Sequence, residues 1–349
     1  MRTISLALFL ALIAGCTSDV QGVTDDLGGV GGGGGNDSGG GGGDGGGGGG
    51  GDLATGNHPD LANPPLGDLG TTPVGGFTMV VTIVLENQDY KEVVGSPNAP
   101  YLNSLINNYA LATNYKDSLV HPSMPNYLYM ISGSVQGQSS DIQASQLTPF
   151  TGDNLGNQLQ QAHIPWGSYQ ESMVTACKLS DSGNFGTKHD PFLYFANIQN
   201  GPNGLCAKTN VDYSQFAAAL AAGATQFMWI TPDLIDDGHG GPVPIPFIDD
   251  PAKDLTTADT WCKTEVQKII DSPIFKAGGV IFLTWDEAEA RNGDDPDQIP
   301  MIIISPKLTK KTSAAAYSHA SYLATVEDIF GLPRLGAAVG APSMMEFFK

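Results

Sequence analysis

The sequence is poor in basic residues for its length. It has 16 Lys and Arg against 36 Asp and Glu in 349 residues, and its formal net charge at pH 7 is −20. Binding to nucleic acid without sequence preference requires Lys and Arg to neutralise phosphates, so we expect no nucleic-acid partner. A small anionic substrate is not excluded by this charge, because a bound metal ion can reverse the sign of the local potential.

Long apolar runs are also lacking. The run from Ile4 to Ala14, which follows Arg2, is too short to span a membrane and is typical of a signal peptide over residues 1–15. It ends in Leu12-Ile-Ala-Gly-Cys16, which resembles the lipobox of bacterial lipoproteins. This resemblance implies cleavage before Cys16 and acylation of its thiol. An ordinary signal peptide with an incidental cysteine is the alternative.

Residues from Thr17 to Gly76 lack the apolar side chains that a folded core needs. They are mostly Gly, Asp, Asn, Pro and Thr, with eight Asp and no Lys or Arg, and such a chain cannot offset its conformational entropy by burial. A Gly-rich coil of this length reaches roughly 40–45 Å. We therefore predict a tether over residues 16–76, an exported protein anchored by lipid to the cell envelope, at the outer membrane or cell surface, and one folded domain over residues 77–349.

Cysteines are few. Of the four, Cys16 is assigned to the lipid. Cys177 and Cys206 flank one polar segment of an exported domain, so we expect a disulfide between them. Cys262 is expected to stay free and buried.

Strand and helix patterns alternate through residues 77–349. Phe77–Leu85, Gln226–Ile230 and Gly279–Thr284 are apolar runs typical of strands covered on both faces, as in a parallel sheet. Further strands are predicted over residues 166–170 and 299–305, and helices over residues 100–110, 155–162, 213–222, 258–271 and 321–330. This alternation predicts an α/β fold, with a mostly parallel central sheet flanked by helices on both faces.

Acidic and other metal-binding residues follow three of these strands. They are Glu86-Asn87, Asp236-Asp237-Gly-His239 and Asp286-Glu287. Because ligands of open α/β sheets bind outside the carboxyl ends of the strands, we expect these groups to converge on one edge. Carboxylate, amide and imidazole ligands suit a hard to borderline divalent cation.

Ser123 lies between two prolines in His121-Pro-Ser-Met-Pro-Asn-Tyr127. Pro125 fits the first turn of a helix that continues to Gly133, which places Ser123 at the helix N-terminus. The positive end of the helix dipole suits a phosphate or an alkoxide nucleophile, and a nearby cation would stabilise that alkoxide. A simple helix-capping serine is the alternative.

Short motifs occur in a fixed order through the folded part. They are Val84-Leu-Glu-Asn-Gln-Asp-Tyr90, Ala112-Thr-Asn-Tyr115, the Ser123 segment, Lys188-His-Asp-Pro-Phe192, Thr231-Pro-Asp233 with Asp237-Gly-His239, Thr284-Trp-Asp-Glu287 and Tyr317-Ser-His319. The set resembles the bacterial phosphoesterase family of the alkaline phosphatase superfamily, which contains acid phosphatases and phosphatidylcholine-type phospholipases C. The resemblance implies an alkaline-phosphatase-like fold.

The resemblance also implies roles for individual residues. Ser123 matches the nucleophile, which is phosphorylated during the reaction. The matching metal ligands are Glu86, Asn87, Asp286, Glu287 and Asp237. His239 and His319 match positions that act in catalysis through a second metal or the phosphate. One or two divalent ions are implied, with Zn, Ca, Mg and Mn all left open.

Four residues are expected to contact the substrate, namely His121, Asn126, Lys188 and His189. Lys188 and His189 would supply positive charge to the phosphate oxygens, although they would simply face solvent if the insertion that carries them points outward. For His121, shaping the turn before Ser123 is an equal alternative.

The predicted activity is metal-dependent hydrolysis of small-molecule phosphate monoesters by a monomeric enzyme. The alternative is a phospholipase C acting on phospholipid head groups, since a lipid anchor holds the protein near a membrane. An alternative of another class is a surface binding protein that kept the fold and lost catalysis.

Overall fold

The structure, a computed structural model, describes residues 73–239, 251–289 and 295–348. The predicted signal peptide, Cys16 and nearly all of the predicted tether lie outside the described residues. Those assignments therefore stay predictions.

The fold is built on strands that match the apolar runs of the sequence. The strands are β1 (Val80–Leu85), β2 (Ala110–Ala112), β3 (Tyr115–Lys116), β4 (Trp166–Gln170), β5 (Asn210–Asp212), β6 (Phe227–Thr231), β7 (Val280–Trp285), β8 (Met301–Ile304), β9 (Thr312–Ser313) and β10 (Tyr317–Ser318). Within the described ranges, eight of them form one sheet in the order β5-β4-β6-β1-β7-β8-β2-β9. Strands β10 and β3 form a small parallel pair of their own.

The central sheet is mostly parallel. Strands β5, β4, β6, β1 and β7 all run in the same direction. Strand β8 is antiparallel to both of its neighbours, β7 and β2, while β9 is parallel to β2. This confirms the predicted fold class.

Helices connect the strands and flank the sheet. They are α1 (Tyr90–Val93), α2 (Pro100–Asn108), α3 (Ser123–Ser132), α4 (Leu155–Gln161), α5 (Ala196–Gln199), α6 (Leu205–Thr209), α7 (Phe216–Ala222), α8 (Pro251–Asp271), α9 (Pro273–Lys276) and α10 (His319–Phe330). Helix α3 packs against α10, and α2 packs against α8.

The core lies on the two central strands β1 and β7, all of whose residues are buried. Burial of each Val, Leu or Ile side chain contributes about 1.5–3 kcal/mol before chain entropy is subtracted. One polar pair crosses this core, the hydroxyls of Thr82 and Tyr322, whose oxygens are 2.5 Å apart. Because β6, β1 and β7 are neighbours and parallel, the residues that follow them meet at one edge.

Helix α3 has the bounds that its sequence predicts. It begins at Ser123, directly after Pro122, and it ends before Gly133, which adopts a left-handed conformation with φ 66°. Pro125 occupies the first turn, where a missing N–H costs no hydrogen bond. The first residue of α3, Ser123, contacts Glu86, the residue that follows β1.

The cysteines of the folded part behave as predicted. Cys177 and Cys206 form a disulfide, and Cys262 is free and buried. Among the helices of the described residues, none combines the length and the apolar character that crossing a membrane requires.

Candidate active site and metal centre

Three neighbouring strands place the central acidic residues of the site. Glu86 follows β1, Asp237 lies in the turn after β6, and Asp286 follows β7. All three side chains are fully buried. The backbone joins them too, because Glu86 N donates to the carbonyl of Asp237 at 2.8 Å. The predicted convergence of the strand ends is present in the structure.

A buried trio at this edge has the chemistry of a metal site. Ligand atoms of Glu86, His189 and Asp237 lie within 4.8 Å of one another. His189 Nε2 is 3.2 Å from Glu86 Oε1 and 3.8 Å from Asp237 Oδ2. Among the described residues these three atoms have no hydrogen-bond partner of good geometry, and buried polar atoms are seldom left so. Two carboxylates and an imidazole therefore fit a divalent cation.

Two further orphaned atoms belong to predicted metal ligands. Asn87 Oδ1 and Asp286 Oδ2 are buried and also lack hydrogen-bond partners within the described chain. The other atoms of these side chains are occupied: Asp286 Oδ1 accepts from Asn87 N at 3.2 Å, and Asn87 Nδ2 donates to Glu289 at 2.9 Å. Each residue thus keeps one oxygen free to bind a cation.

The site carries more negative charge than its own side chains neutralise. Burial and the charge of Glu86 raise the pKa of Asp237 to about 7 and that of Glu287 to about 8. Burial, Glu86 and Glu287 together raise the pKa of Asp286 well above its usual range. A bound cation would favour the ionised form of all three carboxyls.

Glu86 stays ionised in these surroundings. Burial acts to raise its pKa, but the charges of Lys188 and His189 hold that pKa well below its usual range. The two carboxylate oxygens divide their contacts, since Oε1 faces His189 and Oε2 accepts from Lys188 at 2.9 Å. Glu86 thus joins the buried trio to the residues described next.

Ser123 lies beside the trio with its hydroxyl engaged on two sides. Its Oγ donates to Glu86 Oε2 at 3.1 Å and accepts from Lys188 Nζ at 3.0 Å. The residue is buried and is the first of helix α3. The N-cap position of α3 is occupied by Pro122, and Ser123 directs its hydroxyl to Glu86 and Lys188, so the simple capping interpretation of Ser123 is wrong.

Lys188 enters the site from the segment closed by the disulfide. The side chain is 17% exposed. Burial lowers its pKa, but Glu86 and Asp141 outweigh burial and raise that pKa above its usual range. The side chain therefore stays charged next to Ser123, as the prediction of a phosphate contact requires.

The prediction for His189 needs correction. We expected it to contact the substrate phosphate, but its ring is 1% exposed and its Nε2 faces Glu86 and Asp237. Tyr127 stacks on the ring with centroids 5.6 Å apart. His189 therefore belongs to the buried trio of candidate metal ligands, and of that pair Lys188 contacts Ser123.

Glu287 lies on the other side of Asp286 and contacts two predicted substrate-binding residues. Asn126 Nδ2 donates to Glu287 Oε2 at 3.0 Å, and His121 Nδ1 is 3.5 Å from the same oxygen. His121 Nε2 is also 3.4 Å from Asp117. Asn126 is fully buried, and His121 is the more exposed of the two. Asn126 consequently positions Glu287, and His121 is the one with solvent access.

His239 lies at the rim of the site. Its side chain is 40% exposed, with Nδ1 3.6 Å from Glu86 and Nε2 3.3 Å from Glu289. Hydrogen bonds to Glu289 and then Glu86 raise its pKa to about 11. His239 thus lies at the exposed edge of the acidic cluster, and its catalytic role stays a prediction.

His319 does not face the site, contrary to its predicted role. Its ring is fully buried, and both ring nitrogens are engaged: Nδ1 with Tyr115 Oη at 3.0 Å and Nε2 with the backbone oxygen of Asp286 at 2.6 Å. Burial lowers its pKa to about 4, so the ring is neutral. His319 therefore positions the Asp286 backbone, and it has no nitrogen left for metal or phosphate.

Several residues of the site were not predicted from the sequence. Asp141, Glu289, Tyr127 and Asp117 contact the predicted residues. Tyr127 could have been found, because it lies one helical turn after Ser123 on α3 and faces the same way. The others lie on irregular segments, where no periodicity indicates direction.

The folded part of the chain is similar to known proteins. A model of the Phosphoesterase family matches residues 95–333. The chain is 26% identical to a phosphatidylinositol-3-phosphatase of Mycobacterium tuberculosis, over 80% of this chain and 86% of that protein. It is 25% identical to a phosphate-repressible acid phosphatase of Penicillium chrysogenum over 74% of this chain, and it spans only 60% of the fungal protein's length.

Among solved structures, the fold resembles that of a protein in the alkaline phosphatase superfamily from Vibrio parahaemolyticus. The TM-score is 0.52 at 14% identity, covering 79% of this chain and 74% of the other. At this identity the likeness concerns the fold alone.

Proposed function

The chain belongs to the phosphoesterase family and is a phosphoric ester hydrolase, and we propose that it hydrolyses phosphate monoesters through a covalent phosphoserine at Ser123 with the help of a divalent metal ion. One observation carries the proposal. The hydroxyl of Ser123 lies between Lys188 and Glu86 at the N-terminus of α3, next to a buried trio of metal-type ligands.

The metal would be held by Glu86, His189 and Asp237, with the free oxygens of Asp286 and Asn87 completing the set. When bound, a divalent cation supplies positive charge that favours a serine alkoxide and neutralises phosphate oxygens. Carboxylate, amide and imidazole donors leave Zn, Mg, Mn and Ca as candidates.

The side chains around Ser123 suit a two-step transfer. In the first step, Ser123 Oγ bonds to phosphorus while the bond from phosphorus to the ester oxygen breaks, and the serine proton, passed on by way of Glu86 and water, reaches the departing alcohol oxygen. In the second, water attacks phosphorus, the bond from phosphorus to Oγ breaks, the proton that the water loses returns to Oγ, and inorganic phosphate leaves. Lys188 and the N–H groups of α3 stabilise the charge on the phosphate oxygens.

Monoesters are favoured over phospholipid diesters as substrates. Both relatives described above carry names of phosphatases, and one of them is named for a phosphoinositide. A phosphorylated lipid head group is therefore a candidate substrate as well as a small soluble ester. The chain is a hydrolase of phosphoric esters, so the alternative of an inactive binding protein is wrong.

We further propose the lipid anchor at Cys16, because a short apolar run ends in small residues and a cysteine. Replacement of Cys16 by Ser removes the thiol that would be acylated. The variant should then leave the membrane fraction, and membrane attachment that survives this replacement would refute the anchor.

The catalytic proposal is tested by Ser123→Ala in the full chain with a chromogenic phosphate monoester and added divalent metals. Loss of the nucleophile should lower kcat by at least about a thousandfold. Ser132→Ala is the matched control, because Ser132 lies at the other end of the same helix. Its hydroxyl contacts Leu128, Ser134 and Gln136, away from the site. Activity of Ser123→Ala close to that of the control would remove the nucleophile assignment.

The metal assignment is tested by the metal content of purified variants. His189→Ala removes a ligand of the buried trio, so the protein should retain much less divalent metal after dialysis. His239→Ala, which changes a residue at the exposed rim, should retain more divalent metal than His189→Ala. Equal metal content in His189→Ala and the unaltered protein would contradict the trio.

A further inference from the structure

Asp141 contacts two groups that lie beside Ser123. Its Oδ1 accepts from the backbone N–H of Met124 at 2.8 Å, and its Oδ2 lies 3.6 Å from Lys188 Nζ. Met124 is the second residue of α3, directly after Ser123. A carboxylate thus contacts both a first-turn N–H of the helix and the cation of the site.

The same two groups are the ones that a phosphoryl group on Ser123 needs. Lys188 Nζ is 3.0 Å from Ser123 Oγ, so any phosphate oxygen near Oγ comes within reach of the ammonium. First-turn N–H groups with the positive end of a helix dipole favour phosphate oxygens. Asp141 and a phosphate oxygen would therefore compete for Met124 N–H and for Lys188.

We infer that Asp141 is an internal competitor of phosphate, which moves aside when substrate binds and whose negative charge limits the affinity of the site for doubly charged phosphate. The inference rests on the proposed function of Ser123, and it deepens that function by assigning a residue that sets which charge state of phosphate the site accepts. A doubly charged group is repelled by Asp141 about twice as strongly as a singly charged one at the same distance.

The contacts of Asp141 are those of a side chain that can be displaced. Its side chain is 37% exposed, whereas Glu86, the other carboxylate on Lys188, is fully buried. The 3.6 Å separation from Lys188 is also longer than the 2.9 Å between Lys188 and Glu86. Lys188 would therefore stay on Glu86 when Asp141 leaves, and the N–H donor that faced Asp141 would be free for phosphate.

The experiment is calorimetric titration of the full-length, metal-loaded protein with inorganic phosphate above neutral pH, where phosphate is doubly charged. In Asp141→Asn, the amide oxygen can still accept from Met124 N–H, but the charge is gone. We expect the Kd for phosphate to fall about tenfold. For dimethyl phosphate, which is singly charged, the same substitution should lower the Kd clearly less.

The control is Asp271→Asn, which makes the same change in net charge on an exposed residue that pairs with Lys276. It should leave the Kd for phosphate unchanged. A Kd that rises in Asp141→Asn would show that Asp141 orients Lys188 for phosphate, and an unchanged Kd would show that its charge is not felt there. Either result overturns the inference.

This outcome can be separated from a failure of the proposed function. Calorimetry requires no turnover, and the same titrations can be made in a Ser123→Ala background. If the unaltered protein hydrolyses no monoester, the proposed function fails, while the comparison of Asp141→Asn with Asp271→Asn still decides the role of Asp141.

Discussion

Glu86 is the residue on which the candidate site depends most. Its Oε2 contacts Ser123 and Lys188, and its Oε1 faces His189. The residue is fully buried at the end of β1, so its backbone is fixed by the sheet on both sides. A substitution of Glu86 would disturb both Ser123 and the buried trio. Such a variant therefore cannot test the proposed nucleophile independently of the proposed metal ligands.

A second buried carboxyl, away from the site, gives a prediction about pH. Glu327 Oε1 accepts from Leu335 N at 2.8 Å, while Glu327 Oε2 and Gln158 Oε1 are buried acceptors with no donor among the described residues. A proton on Glu327 would remove the cost of burying an ionised carboxylate that lacks a donor at Oε2. Burial raises the pKa of Glu327 from 4.5 to about 8.

This pKa fixes the sign of the effect on stability. The folded protein binds the proton more tightly than the unfolded chain, so the stabilisation is complete below pH 4.5 and declines as the pH rises towards about 8. Glu327→Gln replaces the carboxyl by an amide of similar shape that does not titrate. Denaturant midpoints at the two ends of this range should differ less in the variant than in the unaltered protein, and an equal difference would contradict the assignment.

At the scale of single residues, the sequence predicts the groups that are tied to regular elements. Ser123, Glu86 and Asp286 follow prolines or apolar strands, so their direction is set by the helix start and the strand ends. His189 and His319 could not be placed in this way. The first depends on the path of a segment rich in short turns, and the second on the contact of α10 with the loop after β7.

At the scale of elements, helix α3 and its ending at Gly133 hold Ser123 in place. Gly133 has φ 66°, and a Cβ atom there would lie 2.6 Å from the Leu335 carbonyl oxygen and 2.7 Å from Ala337 N. Both are backbone atoms that cannot rotate away. The carbonyl of Gly133 also accepts from Ala337 N at 2.9 Å, so this contact joins α3 to the segment after α10.

We predict that Gly133→Ala lowers the free energy of unfolding by more than about 1 kcal/mol, because it adds both backbone strain and a steric clash. Gly137→Ala is the matched control, since Gly137 also has a positive φ of 72° but nothing within 4 Å of a Cβ atom. Denaturant unfolding measures both. Equal losses in the two variants would show that close packing at Gly133 contributes nothing.

The long elements agree with their sequence patterns better than the short ones. Strands β1, β4, β6 and β7 and helices α2, α4 and α10 lie within a few residues of their predicted bounds. Strands β2, β3, β5, β9 and β10 were missed, because two or three residues show no periodicity and pair only through tertiary contacts. Helix α8 begins at residue 251, earlier than the predicted residue 258.

At the scale of the whole molecule, the site collects residues from distant parts of the chain. These parts are the ends of β1, β6 and β7, the start of α3, and the segment closed by the Cys177–Cys206 disulfide. The net charge of −20 would oppose the approach of a phosphate ester. In the proposed function, a bound divalent cation together with Lys188 would locally offset this repulsion.

We propose that the phosphoryl group of the substrate is bound covalently to Ser123 before water releases it. The most direct measurement is the stereochemistry of hydrolysis of a phosphate monoester made chiral at phosphorus with oxygen isotopes. Two successive in-line displacements, the first by Ser123 and the second by water, each invert the configuration at phosphorus. The phosphoserine intermediate therefore predicts net retention of configuration. Net inversion would contradict this intermediate, because it would show that water attacks the substrate directly.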